Sequence, residues 1–165
     1  MAITDQVARH AVLSAMACYR KRDEILYSQD MVRRWSGINN KICLPNVPHY
    51  ADCSSFTTWV LHNARIAVRG SAGEDVINGQ HWRAGYTGTQ TAHGTLHRFG
   101  TRFWKPGRTL VFYGQPHDIS HVALYVGKDK VTGRHMVVSH GSDSGPNFIP
   151  YDYRSDFREA RAYPV

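Results

Sequence analysis

The sequence is short of the features that fasten small proteins together or hold them in membranes. It has three cysteines, Cys18, Cys43 and Cys53, in 165 residues. An odd count without a secretory leader argues against a disulfide scaffold and leaves at least one thiol free. The opening residues, MAITDQVARH, lack a basic stretch followed by an apolar core. Synthesis in a cytoplasm without a cleaved signal is therefore expected. No apolar run approaches the ~18 residues of a membrane span, so no membrane partner is expected. There is no Cys-x-x-Cys pair, His-Glu-x-x-His motif, phosphate loop or dinucleotide fingerprint, so neither a metal nor a cofactor is expected. His117 and His121 stand four apart, but His121 opens a β pattern, where that spacing does not form a helical metal pair. Basic residues fall in short scattered groups (Arg20-Lys21-Arg22, Arg33-Arg34) with no basic arm, so no nucleic-acid partner is expected. The net charge of +7 still favours polyanions.

What is present fits one globular domain over residues 1–165, expected to be a monomer. With 42% hydrophobic and 20% charged residues, the chain can bury a core without staples. Ile3, Val7, Ala11, Ala15 and Tyr19 recur at steps of four, which predicts an amphipathic helix from residue 3 to about 27. Cys18 lies near its apolar face as an inert buried thiol. Residues 28–52 read as loop, broken by Ser36-Gly37, Asn39-Asn40, Pro45 and Pro48. Residues 53–64 read as a second helix. Residues 69–100 read as long loops with a short helix near Glu74 to Ile77. After Pro106-Gly107 the pattern turns to β: strands over 109–113, 121–126 and 135–140, with one or two more within 148–153 and 157–163. Helices followed by a run of antiparallel strands give an α+β class.

The strongest local signal surrounds Cys53. Asp52 is placed to cap the helix that follows, which puts Cys53 at its first position. Unpaired N–H groups and the positive helix end stabilise an anion there, and such surroundings lower a thiol pKa from ~8.5 to roughly 3.5–7.5. The carboxylate of Asp52 opposes this. The same N–H groups suit an oxyanion hole. Taken alone, Cys53 reads equally well as a small buried hydrophobe.

Two strands supply partners. A hairpin around GKDKVTGR that places Val126 opposite His135 also places His121 opposite His140, within hydrogen-bonding reach. His121 then reads as general base and His140 as the residue that orients it. Asp52 and Ser54 beside the nucleophile, Tyr50 three residues before it, and Trp35 as a groove-lining aromatic are candidate substrate-binding residues.

Together, Asp52-Cys53-Ser54-Ser55-Phe56, Ser120-His121-Val122-Ala123-Leu124-Tyr125-Val126-Gly127 and Val138-Ser139-His140-Gly141 resemble the NlpC-like cell-wall cysteine peptidases of the papain-like superfamily. The resemblance spans residues 47–141. It implies a nucleophile helix packed on an antiparallel sheet, with Cys53 as nucleophile, His121 as base and His140 orienting it. It also implies metal-free hydrolysis of a peptidoglycan stem-peptide bond, commonly D-glutamyl–diamino acid, through a thioester. The sequence departs from the family pattern at Ser55, where glycine is usual, and at Gly107–Phe112, where the family often has Gly-Asp-Leu-Val. Its turn between the two histidines is longer than common. His140–Pro146, Tyr27-Ser28-Gln29 and Arg34-Trp35 are also similar to peptidase domains of actinobacteriophage endolysins, enzymes that collect in the host cytoplasm before reaching the wall. The same Cys/His pair would serve an N-acetylmuramoyl-L-alanine amidase or an acyl transferase. A non-catalytic module binding wall polymer or nucleic acid is the reading in which Cys53 is structural.

Overall fold

The computed structural model describes residues 1–142 and 145–165. Asp143 and Ser144, part of the His140–Pro146 stretch, lie outside the described residues. Helix α1 (Ile3–Arg20) turns Val7, Ala8, Ala11, Ser14, Ala15 and Cys18 inward. These small side chains let it lie close against helix α3 (Cys53–Arg69). α1 ends before residue 27 because its apolar stripe stops at Tyr19. Arg22–Glu24 forms a 3-10 turn, and strand β1 (Leu26–Tyr27) then pairs in parallel with β2 (Tyr50–Ala51). The intervening loop holds a 3-10 turn at Arg33–Trp35 and a short helix, α2 (Ser36–Asn39).

α3 runs five residues past its expected end, to a Gly70 cap at φ 77°. Glu74–Ile77 is not helical. The Asp75 carboxylate accepts the N–H groups of Ile77 and Asn78 at 2.9 and 3.0 Å, closing a turn instead. The short helix of this region is α4 (Thr87–Thr91). Its residues compete with their own backbone for hydrogen bonds and give no apolar period.

Strands β3 (Thr95–Leu96), β4 (Thr109–Gln115), β5 (Asp118–Lys128), β6 (His135–His140), β7 (Pro146–Pro150) and β8 (Phe157–Ala162) form an antiparallel sheet in the order β3-β8-β4-β5-β6-β7. α1 and α3 cover one face, where Phe56, Trp59, Leu61, Leu110, Val122, Leu124 and Val138 share a core. The other face carries a second cluster of Trp104, Val111, Tyr113, Ala123, Tyr125, Val137 and Ala160. Burial on both faces explains the unbroken apolar runs of β4 to β6. Gly107 (φ +71°), just before β4, passes so close to the Ala8 carbonyl that any Cβ would clash. The glycine therefore sets how closely α1 seats on the sheet.

The β5–β6 register differs from the expected one. Ala123 pairs with Ser139, Leu124 with Val138 and Tyr125 with Val137, after which a bulge shifts the ladder so that Lys128 meets His135. The hairpin loop is therefore shorter than GKDKVTGR, because Gly127 (φ +116°) and Lys128 join the strand. In this register His121 and Ser139 share one face of the sheet, while His140 turns to the opposite, helix-covered face. The bulge could not be read from side-chain alternation.

Candidate active site

The site forms where the start of α3 meets the interior strands β5 and β6, near the beginning of one and the end of the other. Asp52 Oδ1 accepts the Ser55 N–H at 2.7 Å, and Ser55 Oγ accepts the Asp52 N–H at 2.9 Å, a reciprocal cap that fixes the first turn. Cys53 follows it, 7% exposed. The N–H groups of Val122 and Ser54 approach its sulfur. The ladder between β5 and β6 ends at Ala123 and Ser139, so Val122 has no pairing residue there. The sulfur thus contacts the amide of the residue that follows His121.

Burial, then Asp52, push the Cys53 thiol up to about 11, against the Val122 and Ser54 N–H groups and Arg34. The expected acidic thiol is not found in the free protein, because desolvation of the thiolate outweighs the helix end. Burial, then Arg154, likewise push His121 down to about 4, while Asp156 and Asp52 pull upward and His140 pulls downward. At neutral pH the pair rests as a thiol and a neutral imidazole.

His121 Nε2 lies 2.7 Å from Ser139 Oγ, and Ser139 Oγ lies 3.0 Å from the Tyr153 hydroxyl. Among the described residues no hydrogen bond engages His121 Nδ1. Arg154 follows Tyr153, paired through two nitrogens with Asp156 at 2.8 and 2.6 Å. A cavity of about 360 Å³ is lined by residues including Tyr27, His121, Ser139, Asn147, Tyr153 and Arg154. Tyr27 and Tyr153 both lie near enough for a charge on Cys53 to raise their own pKa values, after burial as the larger cause.

Beneath the helix start lies a buried ion pair. Arg34 Nη2 stands 3.1 Å from Asp52 Oδ2. It also donates to Ser54 Oγ at 2.6 Å and to the Gly85 carbonyl at 3.1 Å. One guanidinium thereby ties the 28–52 segment, the start of α3 and the loop before α4 together.

A model of the NlpC/P60 family matches residues 33–144, about two thirds of the chain. The chain belongs to the NlpC/P60 family. Among solved structures, it is similar to the NlpC/p60 domain of the peptidoglycan hydrolase SagA. That likeness has a TM-score of 0.56 and 20% sequence identity, and covers 94% of this chain and 97% of the other. Comparison with curated proteins gave no match. The likeness to SagA carries the fold: α+β, with the cysteine helix against an antiparallel sheet.

Within this NlpC/P60 domain, the sequence-expected residues separate. Asp52, Cys53 and Ser54 share the start of α3, and the amide of Val122, the residue after His121, approaches the Cys53 sulfur. His140 is displaced from the role assigned to it: it lies on the helix side of the sheet, fully buried, with Tyr27 and Phe56 at ring distances of 5.6 and 6.0 Å. Ser139 occupies the place beside His121. Asp52 and Ser54 are buried and committed to the cap and to Arg34, so they build the underside of the site rather than face a substrate. Trp35 is also buried, 2% exposed, under the Arg34 guanidinium at 4.8 Å, and lines no groove. Tyr50 is half-buried against His49 and Arg33. Tyr27, which pairs with Ala51 next to Tyr50, lines the cavity instead. Ser139, Tyr153, Arg154, Arg34 and the lining role of Tyr27 were missed. Ser139 alone had a readable signal, as the polar residue that shares parity with His135 on an apolar strand.

Among the described residues, no group of three His, Cys, Asp or Glu side chains could hold a metal. Among them also, no helix is long and apolar enough to cross a membrane.

The depressed His121 predicts a stability profile. Its folded pKa of about 4 lies below the ordinary 6.5, so the unfolded chain takes up the proton first as pH falls. His121 therefore contributes its stability in full above about 6.5 and loses it as pH drops toward 4. The loss is about 3 kcal/mol. Chemical denaturation at several pH values should show His121→Gln flattening the acid side of the profile relative to the parent. Equal slopes in the two proteins would contradict the depressed value.

Proposed function

We propose that this domain is a peptidoglycan hydrolase that cuts a stem-peptide bond, with Cys53 as nucleophile, His121 as base and Ser139 orienting the base. The observation that carries it is the junction at β5: the sulfur meets the Val122 amide, and the preceding residue is an imidazole whose Nε2 is held by Ser139. Holding Nε2 leaves Nδ1 for the thiol. As the sulfur attacks the carbonyl carbon, its proton passes to Nδ1. The C–N bond then breaks, the imidazolium returns the proton to the leaving amine, and a thioester remains. A water, deprotonated by the same nitrogen, attacks the thioester and releases the carboxylic acid and the thiol. The capped helix start supplies N–H groups near the developing oxyanion. A neutral resting pair suits this sequence, since the proton moves only when substrate arrives.

Membership of a cysteine-peptidase family that acts on peptidoglycan supports the substrate, as does the activity named for SagA. The net charge of +7 favours an anionic wall. The bond we assign is D-glutamyl–diamino acid. The similarity of Tyr27-Ser28-Gln29, Arg34-Trp35 and His140–Pro146 to actinobacteriophage endolysins points to actinobacterial wall, with monomeric enzyme made in the host cytoplasm. The test is mass spectrometry of purified actinobacterial wall after digestion. A new free amine on the diamino acid is expected. A new amine on L-alanine would reassign the enzyme as an amidase, and no new amine at all would refute hydrolysis.

A further inference from the structure

We infer that Tyr153 is a positioning residue for the base: its hydroxyl takes the Ser139 proton, so that Ser139 accepts from His121 Nε2–H and the ring presents Nδ1 to the thiol. This rests on the reading of His121 as base. It extends that site by one residue, from the stretch between β7 and β8.

The argument starts from what a serine can do. Its hydroxyl has one proton and two lone pairs and turns freely about Cβ–Oγ. A carboxylate at that place would only accept and would fix the tautomer by itself. A serine can instead donate to Nε2, which would put the ring proton on Nδ1 and remove the base. A second partner bears on the choice, and in that contact either oxygen can donate. The Tyr153 hydroxyl stands 3.0 Å from Ser139 Oγ, the atom that lies 2.7 Å from His121 Nε2. If Ser139 donates to Tyr153, its remaining lone pairs face Nε2–H.

Tyr153 is itself held. Its ring packs on Tyr113 at 5.4 Å between centroids. The Arg154 guanidinium lies over the same Tyr113 ring at 5.6 Å and is locked by Asp156. Arg154 lies near enough to the Tyr153 oxygen to lower its pKa, an effect smaller than that of burial. Burial keeps Tyr153 neutral by raising its pKa. Arg154, Asp156, His140 and Asp52 act on His121 electrostatically and the Tyr113 ring lies 5.8 Å from its own, and none of these groups hydrogen-bonds the imidazole. Ser139 is the one hydrogen-bond partner of Nε2 among the described residues, and Tyr153 stands behind it.

The test is a double-mutant cycle of Tyr153→Phe and Ser139→Ala, with kcat and KM measured separately on one wall-peptide substrate. Phenylalanine keeps the ring contact with Tyr113. Tyr153→Phe is expected to lower kcat about tenfold, with KM within about twofold of the parent. In the Ser139→Ala background the same substitution should cost nothing further. Losses that multiply, a rise in KM alone, or full activity in Tyr153→Phe would each overturn the proposal. A second readout needs no substrate: nitrogen NMR of histidine-labelled protein. The parent should show His121 as the Nε2–H tautomer and Tyr153→Phe a mixture of the two. An Nδ1–H ring in the parent, or an unchanged ring in the variant, would also overturn it. If the parent cuts no wall bond, the proposed function fails, while the tautomer measurement still decides the role of Tyr153.

Discussion

Cys53→Ala is expected to reduce release of wall peptides at least about a thousandfold while leaving a folded protein. The size of the effect follows from the mechanism, since the thiol is the group assigned to form the acyl intermediate. The hydroxyls that line the cavity belong to Tyr27, Ser120, Ser139, Ser142 and Tyr153; burial raises the two phenols, Ser139 is bonded to His121 and Tyr153, and a serine hydroxyl is a weak nucleophile without a base of its own. Alanine removes only the sulfur from a position in the helix-side core, and a single-atom truncation there costs about 1 kcal/mol. Cys53→Ser, nearly isosteric, should lose activity as severely, because an alcohol is far less acidic than a thiol. Digestion of wall followed by mass spectrometry checks both. A Cys53→Ala protein that kept more than a tenth of parental activity would leave the thiol without its assigned part.

Arg34→Met is expected to destabilise the fold by about 3–5 kcal/mol, lowering the melting temperature by roughly 10 °C for a chain of this size. The guanidinium is buried against a buried Asp52 carboxylate at 3.1 Å. Methionine of similar length leaves that carboxylate in low dielectric without its cation. It also deprives Ser54 Oγ and the Gly85 carbonyl of their donor. Pairing the change with Asp52→Asn removes the stranded charge, so the double variant should recover part of the loss. Thermal melts of the parent, both single variants and the double variant give the coupling. Strictly additive losses would show that the pair does not act as a unit.

The sequence revealed the helix-then-strand order because the apolar steps of α1 and α3 and the runs of β4 to β6 are long. Asp52-Cys53 was legible for a local reason: a cap and the residue after it are adjacent in the chain. The partner of His121 was only half legible: parity marks Ser139 as a polar residue on an apolar strand, but the register that brings it to His121 is a non-local quantity. A single bulge at Tyr125–Gly127 moves every earlier pair by one residue and exchanges His140 for Ser139. Alternation shows which residues share a face within a strand but not where two strands align. Tyr153 and Arg34 were hidden for a related reason. Each reaches the site from a segment without periodic pattern, and only tertiary contact reveals what it touches. Trp35 misled because an aromatic ring suits a substrate groove, whereas here it stacks with Arg34 inside the protein.

Asp52 serves two masters. The carboxylate that closes the first turn of α3 and anchors Arg34 is also the nearest fixed negative charge opposing ionisation of the sulfur. Chemical tuning and mechanical integrity therefore share one side chain. An engineer seeking a more reactive thiol by deleting that charge would also loosen the turn that aims it. The remaining freedom lies across the cleft, around Tyr153, Arg154 and Asp156, where the basicity of the imidazole can be adjusted without disturbing the nucleophile's own support.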